Sequence, residues 1–364
     1  MKSSSTTSQM STPVLRSKLP SSAMSYTQVP DLSPVLLPAL LFTSLAFAAR
    51  HFVLGNFDRA GALLSSQCHP NAGPNSLRYV GLGPIDEILC LFVTFYRTSF
   101  DPAIFPFTAA YWASLTGPIA LSLVEAARSG RSTFLAFPII MSLVYHFQGA
   151  GFAFSLFWLA FIIFGHTRLD RVAGRIDQPR AEAALFAVLA GYVLPYTLML
   201  ILQDPFTTAV CQFLPIWLWM ARAAYLFIRP SSHYNTSGYW AVQATFIYSF
   251  IASAMTHIAV IMAVNDLTLL RDLYLPTIVA PDPATTNVQR VVHETLQWDG
   301  IIASGSGLLG TLWFAGNAKQ VVLITLWNVI ATAIVGPGAA LSGVLLWREW
   351  ALNGAPEDVS KKKW

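Results

Sequence analysis

The sequence predicts an all-α fold, a polytopic transmembrane bundle of about eight (7–9) helices. Three observations predict it. Only 11% of the 364 residues are charged, against roughly 25% in an ordinary soluble domain, so the chain has too few charges to coat a water-facing globule. Hydrophobic residues make up 54% of it, and the mean hydropathy is +0.53. The apolar residues also gather into blocks of about 20, the length that crosses a hydrocarbon core of roughly 30 Å.

Residues 1–30 are rich in Ser and Thr, carry Pro13, Pro20 and Pro30 and lack a long apolar run; a disordered tail is expected. It is too long and polar to be the n-region of a cleaved signal, so the first block reads as a retained anchor. The bundle is expected over 31–350, with a basic tail at 351–364 ending in Lys361, Lys362 and Lys363. Nine blocks are candidates for spans: 34–50, 82–100, 106–127, 133–165, 183–202, 206–228, 238–264, 295–315 and 320–347. Two are doubtful as single spans. Ser132 to Phe164 would be roughly 48 Å long as one helix, so it is either steeply tilted or broken near Gly149 and Gly151. The last block contains Gly336, Pro337 and Gly338, which should kink or interrupt it.

The long connections 51–81 and 265–294 read as extramembrane loops able to lid a cavity. The loop from His166 to Glu182 carries Arg168, Arg171, Arg175 and Arg180, which places it in the cytosol with the N-terminus. The basic C-terminal tail prefers the same side, and a re-entrant final block would satisfy it. The sequon at Asn235, Thr236 and Ser237 falls on that side too, where glycosylation is not expected.

A net charge of +4 without a continuous basic stripe argues against nucleic acid as a partner. The lipid bilayer and a hydrophobic small molecule are the expected partners, and no protein partner is deducible. Cys68, Cys90 and Cys211 show neither CxxC nor Cys/His ligand spacing, so reduced, structurally incidental thiols are expected, with no metal and no cofactor. HExxH, GxSxG and a Walker loop are missing, as are paired acidic motifs that would hold magnesium and a diphosphate. Any catalysis must rest on isolated carboxylic acids in an apolar chamber.

Charges inside the hydrocarbon region cost a few kcal/mol or more, so each needs a partner or a purpose. Asp86 and Glu87 open the second block, where carboxylates also complement the helix dipole. Glu125 stands three residues before Arg128, on one helix face, a spacing that suits an ion pair as well as catalysis. Tyr145, His146 and Gln148 cluster beside Gly149 and Gly151, where small residues admit a ligand or another backbone. His293, Glu294, Gln297, Trp298 and Asp299 lead into the eighth block, with Glu294 expected in the exposed loop. Asp299 lies about a turn further in; burial would disfavour its anion, and a protonated acid can deliver a proton at neutral pH. Of the aromatic residues in apolar blocks (Tyr111, Trp112, Phe157, Trp158, Trp217, Trp219, Trp298, Trp313), most are expected to face lipid or form interfacial belts. A subset could line a pocket and stabilise a cation by about 0.5 to 2 kcal/mol each.

Taken together, Gly-Pro-Ile-Asp86 with the following Leu-Phe-Val-Thr-Phe-Tyr, Gly-Pro-Ile-Ala through Leu-Val-Glu125-Ala-Ala-Arg128, Tyr-His-Phe-Gln148-Gly-Ala-Gly, and Leu-Gln297-Trp298-Asp299 resemble a known family. It is the family of fungal integral-membrane terpene cyclases of meroterpenoid pathways, of the ascofuranone and macrophorin type, related to aurovertin-type membrane epoxide hydrolases. The resemblance implies metal-free, proton-initiated cyclisation of a prenyl chain through an epoxide or terminal olefin, an isomerase- or lyase-type reaction. Carried over by position, the family acids are Asp299, Glu125 and Asp86; His146 is a departure from the less basic residues of other members. On the reading of this sequence alone, Tyr145, His146, Gln148, Gln297 and Trp298 are the candidate substrate-binding residues. An endoplasmic reticulum membrane is the implied location. Two alternatives keep the same helices: an epoxide hydrolase or polyether-forming enzyme acting on a polyketide, and a carrier or receptor that binds without transforming its ligand.

Overall fold

The computed structural model describes residues 33–68, 75, 77–128, 133–164, 174–231, 236–278 and 287–353. The two expected tails, the arginines at 168 and 171, Asn235 of the sequon and the lysines at 361–363 lie outside these residues.

Proline and Asp or Asn punctuate the chain. Helix α1 (Ser33–Ala49) runs through a π-helical turn (Arg50–Leu54) into α2 (Gly55–Ser65) and a short 3-10 turn ending at Cys68. Pro84 opens α3 (Gly83–Thr98) and Pro106 opens α4 (Phe105–Ser114), which continues as α5 (Thr116–Ala127). A single turn, α6 (Thr133–Ala136), precedes α7 (Pro138–Gln148) and α8 (Ala150–Ile163). Asp177 caps α9 (Gln178–Phe186), which passes through a second π-helical turn into α10 (Leu194–Leu202). Asp204 caps α11 (Pro205–Cys211), and Pro215 lies in the first turn of α12 (Leu214–Ile228). Then come α13 (Tyr239–Ala263), α14 (Leu267–Tyr274) capped by Asp266, and α15 (Val288–Thr311) capped by Asn287. Asn317 caps α16 (Ala318–Val335), and α17 (Pro337–Asn353) ends the described chain. Proline fits the first turn because its missing N–H would find no partner there, and Asx oxygens accept the N–H groups that the first turn leaves unpaired.

Among the described residues the fold is all-α. Five helices are long and apolar enough to cross a membrane: Val35–Cys68, Phe105–Ala127, Gln178–Leu202, Tyr239–Ala263 and Ala318–Val335; α11 and α12, bent by 62°, make a sixth if counted as one span. The remaining expected blocks form shorter, broken or more polar helices. The block at 133–165 is broken at Gly149, and its limbs α7 and α8 pack together, with the Tyr145 and Phe154 rings 6.2 Å apart. The final block is broken at Gly336, and α16 folds against α17, the Trp327 indole donating to the Ala340 carbonyl at 2.9 Å. Each is a helical hairpin: of tilt or break, the first block takes the break, and the second is interrupted at its glycine.

Three expectations are corrected. The segment 51–81 is largely helical, since the first span continues to Cys68; 265–294 likewise contains α14 and the start of α15. Cys68 and Cys90 are not free thiols but a disulfide between the end of α2 and α3, with Cα atoms 5.8 Å apart. Motif spacing could not reveal it, because the pairing follows from how two helices meet. Phe157 and Trp158 do not face lipid: they are 1% exposed, and Trp158 lies so close to Gly310 that a Cβ there would sit 2.2 Å from its ring.

A cluster of four buried charges ties α5 to α17. Arg128 Nε donates to Glu125 Oε1 at 2.9 Å, Arg348 Nη1 donates to the same oxygen at 2.7 Å, and Arg128 also pairs with Glu349. The Arg348 guanidinium lies 4.6 Å over the Phe314 ring. Two positive and two negative groups balance, which makes their burial tolerable.

The disulfide predicts two results. Alkylation of the denatured, unreduced protein should modify one thiol per chain, Cys211, and three after reduction. Cys68→Ser should lower stability by ~3 kcal/mol, the loop-closure contribution for such a loop, read as an earlier thermal midpoint in detergent.

Candidate functional site

Asp299 is the twelfth of the 24 residues of α15, at mid-helix. Its carboxylate faces the break between α7 and α8. Gly149 there has φ +85°, and a Cβ would meet Asp299 Oδ1 at 2.5 Å, so only glycine lets the chain turn against the carboxylate. Beyond the turn, the backbone N–H of Gly151 donates to Asp299 Oδ1 at 2.8 Å and that of Ala150 to Oδ2 at 2.9 Å. The Tyr111 hydroxyl, from α4, donates to Oδ2 at 2.5 Å. Three donors and the N-terminal end of the α8 dipole thus converge on one buried carboxyl group.

Beside Asp299 is a cavity of about 80 Å³. Its walls include Tyr111, Trp112, Tyr145 and His146 on one side. The other side is built from Val53, Leu54 and Phe57 on the first span and Phe92, Phe95 and Tyr96 on α3. The Trp112 and Tyr196 rings stack 4.3 Å apart, and the Tyr145 and Tyr196 hydroxyls are 3.3 Å apart. The Trp112 indole N–H is buried without a hydrogen-bond partner among the described residues, leaving a donor beside the cavity.

The structure brings together Asp299, Tyr145 and His146 and separates the other expected site residues from them. Glu125 sits in the four-charge cluster and does not line this cavity. Asp86 is in the first turn of α3, where it accepts the Val80 N–H at 2.8 Å, so its observed contact is that of a helix-start carboxylate. The three acids therefore share no hollow: Asp86 accepts a backbone N–H at the start of α3, and Glu125 is paired with Arg128 and Arg348. Gln148 closes α7 outside the cavity wall. Gln297 projects from another face of α15, its amide donating to the carbonyls of Asp272 and Leu273 at 2.8 and 2.9 Å. Trp298 stacks on Phe52 with ring centroids 4.1 Å apart, against the first span. Glu294, expected in an exposed loop, is buried in α15 and accepts from Thr277 and Arg290. Tyr111 and Trp112 were visible in the sequence only as two among many aromatic residues; their link to Asp299 spans 188 positions and left no local signal.

A hollow of about 760 Å³ between α13, α16 and α17 has no carboxylate among its lining residues.

Residues 35–352 match the model of the CtvD domain. The chain belongs to the CtvD domain family. The match covers nearly all of the described bundle, from α1 to α17, so both halves of the Asp299 cavity lie within the CtvD domain. It agrees with a place in fungal secondary metabolism. No curated protein and no solved structure matches the chain.

Gly149→Ala should be among the most damaging single-methyl changes, because it combines a backbone conformation costing about 1–3 kcal/mol with the clash on Asp299. Yield of folded protein by size-exclusion chromatography should collapse, whereas Gly55→Ala, which meets nothing within 4 Å, should be neutral. Glu125→Ala should cost about 3–5 kcal/mol by leaving buried arginines short of a partner. The check is that activity per folded molecule, once an assay exists, stays near wild type while the thermal midpoint falls.

Proposed function

We propose that the protein is a membrane-bound terpene cyclase of a fungal meroterpenoid or related secondary-metabolite pathway, with Asp299 as proton donor. The observation that carries this is the convergence of Tyr111 and the Ala150 and Gly151 N–H groups on a buried carboxyl group that borders an aromatic-walled cavity. In this reading Asp299 enters the reaction as the neutral acid. When the proton leaves for an epoxide oxygen or a terminal olefin, charge develops on the carboxylate, and three donors are already aimed at it. The epoxide C–O bond breaks, or the olefin takes the proton, and the adjacent carbon becomes cationic. Chain π-electrons then close the ring, the surrounding rings of Tyr96, Trp112 and Tyr145 stabilise the cation, and the last proton, released from carbon or from a substrate hydroxyl that captures the cation, passes to His146. The Trp112 N–H is placed to bind a substrate oxygen. Exclusion of water lets ring closure win over capture by solvent.

A prenyl chain needs more room than about 80 Å³; small-molecule sites are typically ~300 Å³ or larger. Entry therefore requires the wall formed by α2 and α3 to swing outward, and the Cys68–Cys90 link makes these helices move together. The disulfide suits an oxidising lumen. Arg175, in the connection before α9, and Arg180, in the first turn of α9, suit the cytosol. Both fit the endoplasmic reticulum membrane.

One observation favours the hydrolase alternative: the cavity as it stands holds about two to three water molecules at ~30 Å³ each, beside a carboxyl group that could activate one. Turnover in ¹⁸O-labelled water distinguishes the two; an unlabelled ring supports cyclisation, and a labelled diol supports hydrolysis.

Asp299→Asn should abolish product while the protein still accumulates in membranes, and undiminished turnover would remove Asp299 from the mechanism. Because the substitution also disturbs the cap of α8, Tyr111→Phe serves beside it. That variant keeps the cap and the ring but loses one hydrogen bond of about 1.5–3 kcal/mol, and turnover should fall roughly tenfold to a hundredfold with folding intact.

A further inference from the structure

The second hairpin has a cavity of its own. At its tip Gly336 has φ +89°, close to the +85° of Gly149, and a Cβ there would meet His257 of α13 at 2.8 Å, as one at Gly149 would meet Asp299 of α15. Broken helix backbone at membrane depth is tolerated where it is enclosed by protein or borders a cavity. Gly149 borders the Asp299 cavity, and Pro337 borders a chamber of about 400 Å³ among α4, α13, α14, α15 and α16. Tyr111 belongs to both, its hydroxyl bonded to Asp299 and its ring forming part of the chamber wall.

The chamber is mostly greasy, with a polar spot on one side. His257 Nδ1 lies 3.2 Å from the Tyr274 hydroxyl. The His257 ring also meets the Ala333 carbonyl, whereas Thr332 Oγ1, in the same lining, is buried with no hydrogen-bond partner among the described residues. Buried polar groups are nearly always paired, so an orphaned hydroxyl in an apolar hollow calls for a complementary group. The volume falls in the range of a small-molecule site, and the Gln297 amide in its wall is already committed to the Asp272 and Leu273 carbonyls.

We propose that this chamber is a second ligand site, taking one neutral amphiphile whose hydrocarbon body lies along Phe107, Tyr111 and α15 and whose hydroxyl or carbonyl head pairs with Thr332. The occupant does not react there. It rests on the Tyr111 ring and so bears on the group that holds Asp299. This site does not depend on what Asp299 does.

The test is photolabelling of the full-length protein in lipid nanodiscs with two probes, a farnesylated phenol and a headless farnesane, each carrying a diazirine on the chain. Gly305 borders the chamber, and a Cβ there meets nothing within 4 Å, so Gly305→Phe fills the space without disturbing the backbone. The phenol probe should mark peptides of α13 and α16, and Gly305→Phe should remove that labelling. Thr332→Val should weaken phenol labelling about fivefold to tenfold, the share of affinity one hydrogen bond carries, and leave the headless probe unaffected. Asp299→Asn, inactive or not, should label as wild type, which separates this proposal from the catalytic one. Labelling that survives Gly305→Phe, or that falls equally for both probes in Thr332→Val, overturns it.

Discussion

The hydrogen bonds from Ala150 and Gly151 to the Asp299 carboxylate are the interaction on which the centre of this molecule depends. A helix that starts inside a bilayer leaves N–H groups that water cannot satisfy, and each unpaired one costs several kcal/mol in hydrocarbon. Asp299 meets two of them with one side chain. Gly149 supplies the conformation that brings the start of α8 against it. The same contact fixes the register of α15 on α8, and with it the positions of Tyr111, Tyr145 and His146 around the cavity.

This arrangement links the structural and chemical roles of one acid. A group that only capped a helix would need no cavity, and a group that only gave up a proton would need no backbone donors. Here the donors that hold α8 in place are the ones that would receive charge if the proton were transferred. The four charges of Glu125, Arg128, Arg348 and Glu349 show the contrasting case: they satisfy one another at the joint of α5 and α17, and no cavity acid is among them. Buried acids therefore stand in two different environments in the same bundle, one paired with arginines and one hydrogen-bonded beside a cavity.

The two hairpins extend the pattern. Gly149 and Gly336 adopt nearly the same backbone angles, each directly before a helix, and each turns against a titratable residue on a long neighbouring helix. Around Gly149 the carboxylate is bonded on both oxygens while the Trp112 N–H is left over; around Gly336 the Thr332 hydroxyl is left over. Tyr111 stands between the two hollows and touches both.

The sequence by itself determined that the chain is helical and membrane-bound, because hydrophobic blocks, proline at helix starts and the scarcity of charge act locally along the chain. It also marked Gly149 and Gly336 as breaks and Asp299, Tyr145 and His146 as neighbours of a hollow, since a carboxylate or glycine deep in an apolar run is conspicuous without any partner in view. Only the tertiary structure decided which acids meet. Glu125 finds Arg348 across 223 positions and Asp299 finds Tyr111 across 188, and Cys68 reaches Cys90 through the approach of two helices. Such pairings depend on how helices rotate and cross, and helical periodicity leaves both undetermined.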